Sequence, residues 1–446
     1  MSIGHIAFIR PNLRDMPGRD AMEPLVFAIL AGQTPPGIST VLYDDRLETI
    51  PDDLDTDLVA ITVETFTARR AYQIARKFTD RGIPVVMGGF HATLMPEEVG
   101  KHCDAVVIGD AEGIWERVVK DADAGKLQKV YQNAAPPSLE NLVFDRSIFK
   151  GKKYAPLSLV QFGRGCRFAC EFCSIIAFYG RHRATRPVDD VVREIQALPR
   201  KLVFFVDDNL FSSRESLETL FDALKGLDIR WIAQISIDII QHEDLLEKMA
   251  QSGCFALLIG FESLQRDNLK QMGKGWARRH QYETAVKTLR RHRILLYGTF
   301  VFGYDQDTPA DFQSALEFAT ENRLFLANFN PLTPTPKTPL FERLASEGRL
   351  LHPRWWLDPQ YRYGRSIFQP KGLSPAELEG GVRWARGRFY RLGNIFRRAV
   401  LSLPSLWPPY KIWIYGLANL ISRMEITRKQ DAPLGDPTLE IRETPL

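Results

Sequence analysis

Several features that would assign the chain to a common class are absent. No stretch of about 18 or more residues is free of charged and turn-forming residues, so no membrane-spanning helix is expected. The first residues, MSIGHI, lead into a strand pattern without a basic region and a long apolar run, which argues against a signal peptide. A net charge of +4 over 446 residues gives no reason to expect nucleic-acid binding.

Cysteine is scarce and unevenly placed. The chain has five cysteines, which do not form the pattern of a disulfide framework, so a reducing cytoplasm is the expected location. Cys103 and Cys254 lie in apolar contexts and are predicted to be small buried residues. The other three, Cys166, Cys170 and Cys173, are spaced CxxxCxxC.

Three thiolates this close together suit an iron–sulfur cluster bound on a loop. A cubane 4Fe-4S cluster with three protein ligands keeps one iron open, where a small molecule can chelate. The alternative is a zinc site, but a closed zinc site requires a fourth protein ligand. The spacing therefore favours a cluster held by these three cysteines.

The composition is that of a globular protein of two to three domains, with 45% hydrophobic and 25% charged residues. In residues 1–130, five short apolar runs alternate with helical patterns, which predicts an α/β, doubly wound (Rossmann-like) domain. Ligands of such sheets bind beyond the carboxyl ends of the strands. The candidates at those ends are Thr62, Glu64, Gly88, Gly89, His91, Gly109 and Glu112.

Residues 131–153 contain prolines and no sustained period, and are predicted to be a linker. Residues 154–355 then repeat a strand–helix pattern six times, which fits a partial (β/α)6 barrel with the cysteine loop after its first strand. Further candidates end its later strands, although Asp and Asn also begin helices as caps. They are Asp207, Asp208, Asn209, Gln234, Ser236, Glu262 and Ser263.

Residues 356–425 are predicted to form a helical C-terminal region that begins at the capping box Ser374–Glu377. Its helix carries many arginines, and the aromatic segment 406–415 follows it. Two interpretations are open: a cap that closes the barrel, and an element that contacts a membrane surface. Residues 426–446 are polar and rich in proline, and are predicted to be a disordered tail.

The CxxxCxxC spacing, with Phe172 before the last cysteine, resembles the signature of the radical SAM superfamily. The resemblance implies that S-adenosylmethionine chelates the open iron and is cleaved by one electron to methionine and a 5′-deoxyadenosyl radical. It also implies that residues 207–209 meet the amino group of S-adenosylmethionine, and that Glu262 and Ser263 contact its ribose. Two aspartates stand where Gly-Gly-Glu is common in the superfamily.

The N-terminal region resembles the cobalamin-binding domain that precedes many radical SAM domains, chiefly at Gly88–Thr93 and Gly109–Glu112. The DxHxxG pattern, whose histidine ligates cobalt in the methionine-synthase type, is absent, and the nearest stretch is Asp44–Glu48. Either cobalamin binds without a protein ligand on its lower face, or the domain has kept the fold and lost the cofactor. His91 is a candidate ligand, or a contact to phosphate or amide groups.

These likenesses point to the group that contains class B radical SAM methylases and the anaerobic magnesium-protoporphyrin cyclase. They imply methylation of an unactivated carbon in a small-molecule, lipid-like or tetrapyrrole-like substrate, with electrons from an external donor such as flavodoxin or ferredoxin. Radical ring closure or rearrangement without methyl transfer is the first alternative. A non-catalytic binder of the cluster or of cobalamin is the second.

Overall fold

The computed structural model describes residues 3–441 except 15, 16, 19 and 278. The chain forms two compact units. The first contains residues 1–155, 354–363 and 431–446, and the second contains residues 156–353 and 364–430. No helix in the described part of the chain is long and apolar enough to cross a membrane.

The first unit is a sheet of six strands with helices between them. The strands are β1 (His5–Arg10), β2 (Ser39–Asp44), β3 (Leu58–Thr62), β4 (Val85–Gly88), β5 (Ala105–Ile108) and β6 (Val130–Gln132). The helices are α1 (Leu25–Gln33), α2 (Ala68–Thr79), α3 (Phe90–Leu94), α4 (Pro96–Val99) and α5 (Trp115–Asp123).

All pairs in this sheet are parallel, in the order β2-β1-β3-β4-β5-β6. The central strand β3 is buried along its whole length, as a parallel sheet covered on both faces requires. The strand order reverses between β1 and β3, which is where a ligand crevice forms in such sheets. The predicted doubly wound fold is confirmed.

The segment 131–153 is more ordered than the predicted linker. Its first residues belong to β6, which extends the sheet beside β5, and the ring of Tyr131 is fully buried. Further along, Ile148 and Phe149 join the apolar core of the first unit. The boundary between the units lies after residue 155. The sequence pattern did not indicate this packing, because the apolar residues of the segment are scattered without a period.

The second unit is built on a second parallel sheet. The strands of this sheet are β7 (Ser158–Val160), β10 (Leu202–Phe205), β11 (Arg230–Gln234), β12 (Cys254–Glu262), β13 (Leu295–Phe302) and β14 (Leu326–Pro331). Two strands of two residues each, β8 (Gly163–Arg164) and β9 (Ala184–Thr185), form a separate small sheet beside the cysteine loop. Its helices are α6 (Ser174–Tyr179), α7 (Val188–Ala197), α8 (Arg214–Leu224), α9 (Glu243–Gln251), α10 (Arg266–Gln271), α11 (Arg279–Arg291), α12 (Pro309–Glu321), α13 (Pro339–Ser346), α14 (Pro375–Phe389), α15 (Leu392–Leu401) and α16 (Tyr410–Lys429).

The six strands of the larger sheet pair in chain order, β7-β10-β11-β12-β13-β14, and every pair is parallel. β7 and β14 are the two edges of this sheet, so it is an open barrel of strand–helix units, as predicted. The cysteine loop follows β7, and it therefore lies at the carboxyl end of the sheet, where parallel barrels carry their chemistry.

The C-terminal helices differ from the prediction in two ways. The capping box at Ser374 and Glu377 is present, but the expected single helix ends at Phe389 and α15 starts after a two-residue break. The predicted disordered tail is also wrong over its described part, because α16 continues to Lys429. Beyond it, the backbone carbonyls of Asp436 and Leu439 accept hydrogen bonds from Arg69 and Gln73. Residues 442–446 lie outside the described residues.

Candidate active site

The cysteine loop is shaped by a short β-hairpin. β8 and β9 pair antiparallel across Gly163 and Thr185, so the loop returns close to the strand it left. Gly165 has φ +81°, and a Cβ there would lie 2.2 Å from the carbonyl oxygen of His182. Only glycine fits such a position, because it combines a left-handed backbone with close backbone contact.

The polar residues after β10 hold this loop. Asp207 accepts hydrogen bonds from the backbone N–H groups of Phe162 (3.0 Å) and Gly163. The Oδ2 atom of Asp208 accepts one from the N–H of Gly165 at 2.8 Å. Burial raises the pKa of Asp207 to about 7, although the two backbone N–H groups oppose the shift. These two carboxylates, predicted to contact S-adenosylmethionine, anchor the backbone that leads into the cysteines.

Asn209 and the end of β11 continue the same network. Asn209 Nδ2 lies 3.7 Å from the Sγ atom of Cys166 and 3.1 Å from Ser236 Oγ. Its Oδ1 atom accepts a hydrogen bond from the N–H of Ser236. Gln234 donates to the backbone carbonyl of Asp208 at 3.0 Å, and its side chain is exposed. Predicted residues from two strand ends are thus brought together against the first cysteine.

The three cysteines share one loop but are not equally exposed. Cys170 is buried, whereas Cys166 and Cys173 are half-buried, and the N–H of Cys173 donates to the carbonyl of Cys170. Burial raises the pKa of Cys170 to about 12 and also raises the pKa of Cys173. Phe172, between them, is half-buried and packs against the core of the unit.

The donor chemistry of the loop fits an iron–sulfur cluster. Its thiols are soft ligands, and the remaining two cysteines, Cys103 and Cys254, are buried elsewhere in the chain. Within the described residues, no group of three or more His, Cys, Asp or Glu side chains already has the geometry of a metal site. A cubane cluster takes one thiolate on each of three irons, so the three thiols of this loop are the soft donors that fit it.

Glu262 ends β12 in an unusual backbone conformation. Its φ is +64°, where a non-glycine residue is strained and which often marks a functional position. Its Oε1 atom accepts a hydrogen bond from Lys274 Nζ at 2.6 Å, and both side chains are largely buried, with 10% and 14% exposed. Ser263, the next residue, accepts a hydrogen bond from the N–H of Gln265 and so begins the turn into α10.

Lys274 and Trp276 were not among the residues predicted from the sequence. The ring of Trp276 stacks on Phe168 of the cysteine loop, with 4.7 Å between ring centroids. Both residues lie in the turn after α10, which carries no strand-end signal. The only indication in the sequence is the Gly273-Lys274-Gly275 pattern, since a lysine between two glycines marks a tight turn.

In the first unit, the predicted strand-end residues lie at two places on the sheet: between β1 and β3, where the strand order reverses, and between β3 and β4. Arg10, at the end of β1, donates a hydrogen bond to Glu64, which follows β3, at 3.2 Å. Gly89, after Gly88 at the end of β4, has φ +100°, and a Cβ there would lie 2.8 Å from Thr62 Oγ1. Glycine is thus required here by close contact with the end of the neighbouring strand β3.

His91 is placed differently from its prediction. Its side chain is fully buried, and its Nε2 atom lies 3.1 Å from Glu98 Oε1 while Nδ1 lies 3.3 Å from Thr65 Oγ1. Both ring nitrogens already have partners inside the unit, so a contact with a cofactor is not supported.

The last strand-end pair of the first unit, Gly109 and Glu112, follows β5. Gly109 has φ +77° and donates its N–H to Thr93 Oγ1. The Glu112 side chain is buried, with 5% exposed, and the backbone carbonyl of this residue accepts a hydrogen bond from Asn133. The loop is therefore shaped by contacts within the unit.

A doubly wound parallel unit followed along the chain by an open parallel barrel, with a three-cysteine loop after the first barrel strand, defines the chain as a radical SAM protein with an N-terminal doubly wound domain. The family model for the Radical SAM superfamily matches residues 160–319. The bacteriochlorophyllide d C-12(1)-methyltransferase of Chlorobaculum tepidum is 33% identical over 391 residues, which cover 84% of each chain.

Two further comparisons agree with this assignment. The anaerobic magnesium-protoporphyrin IX monomethyl ester cyclase of Rubrivivax gelatinosus is 25% identical, over 86% of this chain and 77% of its own. The structure of the radical S-adenosylmethionine methyltransferase TsrM from Kitasatospora setae, with cobalamin and a [4Fe-4S] cluster bound, has a TM-score of 0.63 at 16% identity, covering 85% of this chain and 82% of that chain. The chain belongs to the radical SAM superfamily, in the family that includes the bacteriochlorophyllide methyltransferases, and the predicted resemblance and fold are confirmed. The cofactors of that superfamily, a 4Fe-4S cluster and S-adenosylmethionine, are those of this enzyme.

Proposed function

We propose that the enzyme methylates an unactivated carbon of an apolar small molecule, of which a tetrapyrrole is the leading example. The observation that supports this most is the 33% identity to a bacteriochlorophyllide methyltransferase across most of both chains. In the net reaction a C–H bond becomes a C–CH3 bond. One S-adenosylmethionine takes the hydrogen and leaves as methionine and 5′-deoxyadenosine, a second gives the methyl group and leaves as S-adenosylhomocysteine, and a donor supplies two electrons.

The residues of the cysteine loop have the central part in this proposal. Cys166, Cys170 and Cys173 hold the cluster, which when bound supplies the electron that cleaves S-adenosylmethionine. Asp207, Asp208 and Asn209 hold the loop in place through the hydrogen bonds described above. Glu262 is the proposed ribose contact, since a carboxylate accepts hydrogen bonds from two hydroxyls.

The test of the cluster assignment uses single Cys→Ala substitutions at the three loop positions. Each should lose most bound iron and all 5′-deoxyadenosine formation after anaerobic reconstitution. Cys254→Ala is the matched control, because that thiol is fully buried away from the loop, and it should keep both. Full iron and full cleavage in a triple loop variant would refute the assignment.

We further propose cobalamin as the methyl carrier, bound by the first unit without a histidine ligand. The strand order of the unit and the resemblance of its loops support binding. Both ring nitrogens of His91 have partners inside the unit, which supports binding without a ligand from this residue. Reconstitution with iron, sulfide and hydroxocobalamin, followed by desalting, should leave cobalt near one per chain. A protein that binds the cluster but no cobalt would refute cobalamin as the methyl carrier.

Ring closure without methyl transfer remains the second candidate, favoured by the 25% identity to the anaerobic cyclase. The two reactions differ in their products. Methylation releases S-adenosylhomocysteine in step with product, whereas cyclisation releases none. Because the 33% identical relative acts on a bacteriochlorophyllide, the assay should begin with bacteriochlorophyllides and measure the release of S-adenosylhomocysteine.

The external electron donor is proposed to be a flavodoxin or a ferredoxin. Such small redox proteins supply single electrons at the low potentials that reduce 4Fe-4S clusters. The reaction is placed in the reducing cytoplasm, because loop thiols that must bind iron have to stay reduced. An assay with chemically reduced flavodoxin as the only reductant should yield 5′-deoxyadenosine, and oxidised flavodoxin should yield none.

The C-terminal helices are proposed to contact an anionic membrane surface. Large apolar side chains are exposed on α15, with Phe396 at 71% and Leu392 at 56%, and on α16, with Trp413 at 63%. Leu392, Phe396 and Val400 are four residues apart and share one face of α15. No acidic residue occurs between Glu379 and Glu425. Apolar side chains flanked by exposed arginines and free of acidic neighbours are typical of interfacial helices.

Vesicle flotation tests this contact. The protein should float with vesicles that contain phosphatidylserine, and less with phosphatidylcholine alone. The double variant Phe396→Ser/Trp413→Ser should lose flotation, whereas Val143→Ser, which changes an apolar residue that is 59% exposed in the first unit, should keep it. Absence of flotation with anionic vesicles would refute the contact, and a dimer abolished by the double variant would assign this face to a second copy.

A further inference from the structure

The turn after α10 rests directly on the cysteine loop. The N–H of Glu171 donates to the carbonyl oxygen of Met272 at 3.2 Å. A Cβ at Gly273, whose φ is +84°, would lie 3.2 Å from the carbonyl oxygen of Ala169. These backbone contacts fix the start of the Lys274 side chain beside the loop that carries the three cysteines.

The ammonium group of Lys274 is held in place in a largely buried position. It donates to Glu262 Oε1 at 2.6 Å, and the carbonyl oxygen of Gly260 lies 3.4 Å away. The ion pair with the Glu262 carboxylate keeps the ammonium group charged, and only 14% of the Lys274 side chain is exposed. Water therefore screens this charge less than it would at the surface.

We infer that the charge of Lys274 raises the reduction potential of the cluster bound at Cys166, Cys170 and Cys173. The opposite charge of Glu262 partly offsets this increase. The inference rests on the proposed cluster site. Reduction adds one negative charge to the cluster, and a nearby fixed cation stabilises that charge, whereas a nearby carboxylate opposes it. The Lys274–Glu262 pair thus sets how easily the enzyme accepts the electron that cleaves S-adenosylmethionine.

The measurement is the midpoint potential of the reconstituted cluster without S-adenosylmethionine, followed by electron paramagnetic resonance. In Lys274→Met the ratio of reduced to oxidised cluster at a fixed solution potential should fall about tenfold, or about 59 mV for one electron. Lys274→Arg should stay near the wild type. Lys270→Met is the matched control: it removes the same charge from α10, but at a side chain that is 54% exposed and paired with Asp267, so it should shift the potential little.

A second variant gives the opposite sign. Glu262→Gln removes the carboxylate and should raise the reduced fraction, and this test stands even if Lys274→Met fails to assemble a cluster. An unchanged potential in a fully loaded Lys274→Met protein, or a lowered potential in Glu262→Gln, would overturn the inference. Iron and sulfide content of the wild type decides the cluster site separately, so the failure of one proposal is distinguishable from failure of the other.

Discussion

At the scale of single residues, the polar side chains after β10 form hydrogen bonds with other groups of the protein. Asp207 and Asp208 accept bonds from three backbone N–H groups around Gly163, and Asn209 bridges Ser236 and Cys166. A loop that must gather three thiols around a metal cluster needs a fixed starting point, which these bonds provide. The sequence indicated these residues as candidates at a strand end, but it did not show that their oxygens already have partners within the protein.

The buried network around Glu98 provides a residue-scale prediction. Burial alone raises the pKa of Glu98, but hydrogen bonds from His91 and Trp356 and the charge of Arg354 lower it from 4.5 to about 2. A lowered pKa in the folded state means that the carboxylate stabilises the unit above pH 4.5, and that this stability is lost as the pH falls from 4.5 towards 2. The contribution at neutral pH is about 3 kcal/mol.

Glu98→Gln should lower the free energy of unfolding of the first unit by about 2 kcal/mol at pH 7, less than the full contribution because the amide oxygen of glutamine still accepts hydrogen bonds. The difference from the wild type should shrink as the pH falls below 4.5. This difference is measured by urea unfolding, in which hydrogen exchange reports on the first unit. Glu116→Gln, at an exposed position on α5 paired with Lys120, should change little, and a pH-independent difference would contradict the assignment.

At the scale of elements, the packing of α12 against α14 depends on one glycine. Gly381 faces the ring of Phe312, and a Cβ there would lie 2.3 Å from a ring carbon. Its neighbour Gly380 has nothing within 4 Å of the same position. Two adjacent glycines in one helix thus have opposite roles, which their sequence context does not reveal.

Gly381→Ala should destabilise the second unit by about 1–3 kcal/mol, because the added methyl group overpacks a buried contact. Gly380→Ala should be neutral or stabilise it by up to about 1 kcal/mol, because alanine favours the helix. Thermal unfolding of both variants without cofactors measures the pair. Equal effects of the two substitutions would show that α14 does not pack on Phe312 as closely as described.

At the scale of the whole molecule, the chain returns to its first unit twice, at residues 354–363 and again from residue 431. The returning segments supply partners that the N-terminal residues lack by themselves. Trp356 donates to Glu98 at 2.9 Å, and the carbonyl of Leu439 accepts a hydrogen bond from Arg69 at 2.7 Å. The first unit is therefore completed only when the end of the chain is present.

Truncation after Gln430 should lower the protection of α2 against hydrogen exchange, because Arg69 and Gln73 lose the carbonyl partners of residues 436 and 439. The strands of the second unit should keep their protection. Truncation after Ile441 serves as the control and should leave α2 unchanged. Equal protection of α2 in the full chain and in the shorter truncation would contradict a stabilising role of the tail.

The sequence by itself determined the class of the protein, because alternating apolar runs and the CxxxCxxC spacing are local patterns that can be read along the chain. Tertiary structure alone decided what contacts those residues. His91 contacts Glu98 within the unit, the predicted tail packs on α2, and Lys274 contacts Glu262 from a turn that carries no strand-end signal. The tail contact joins residues that are 370 positions apart. The other two join side chains across turns, and periodicity and spacing do not describe the path of a turn.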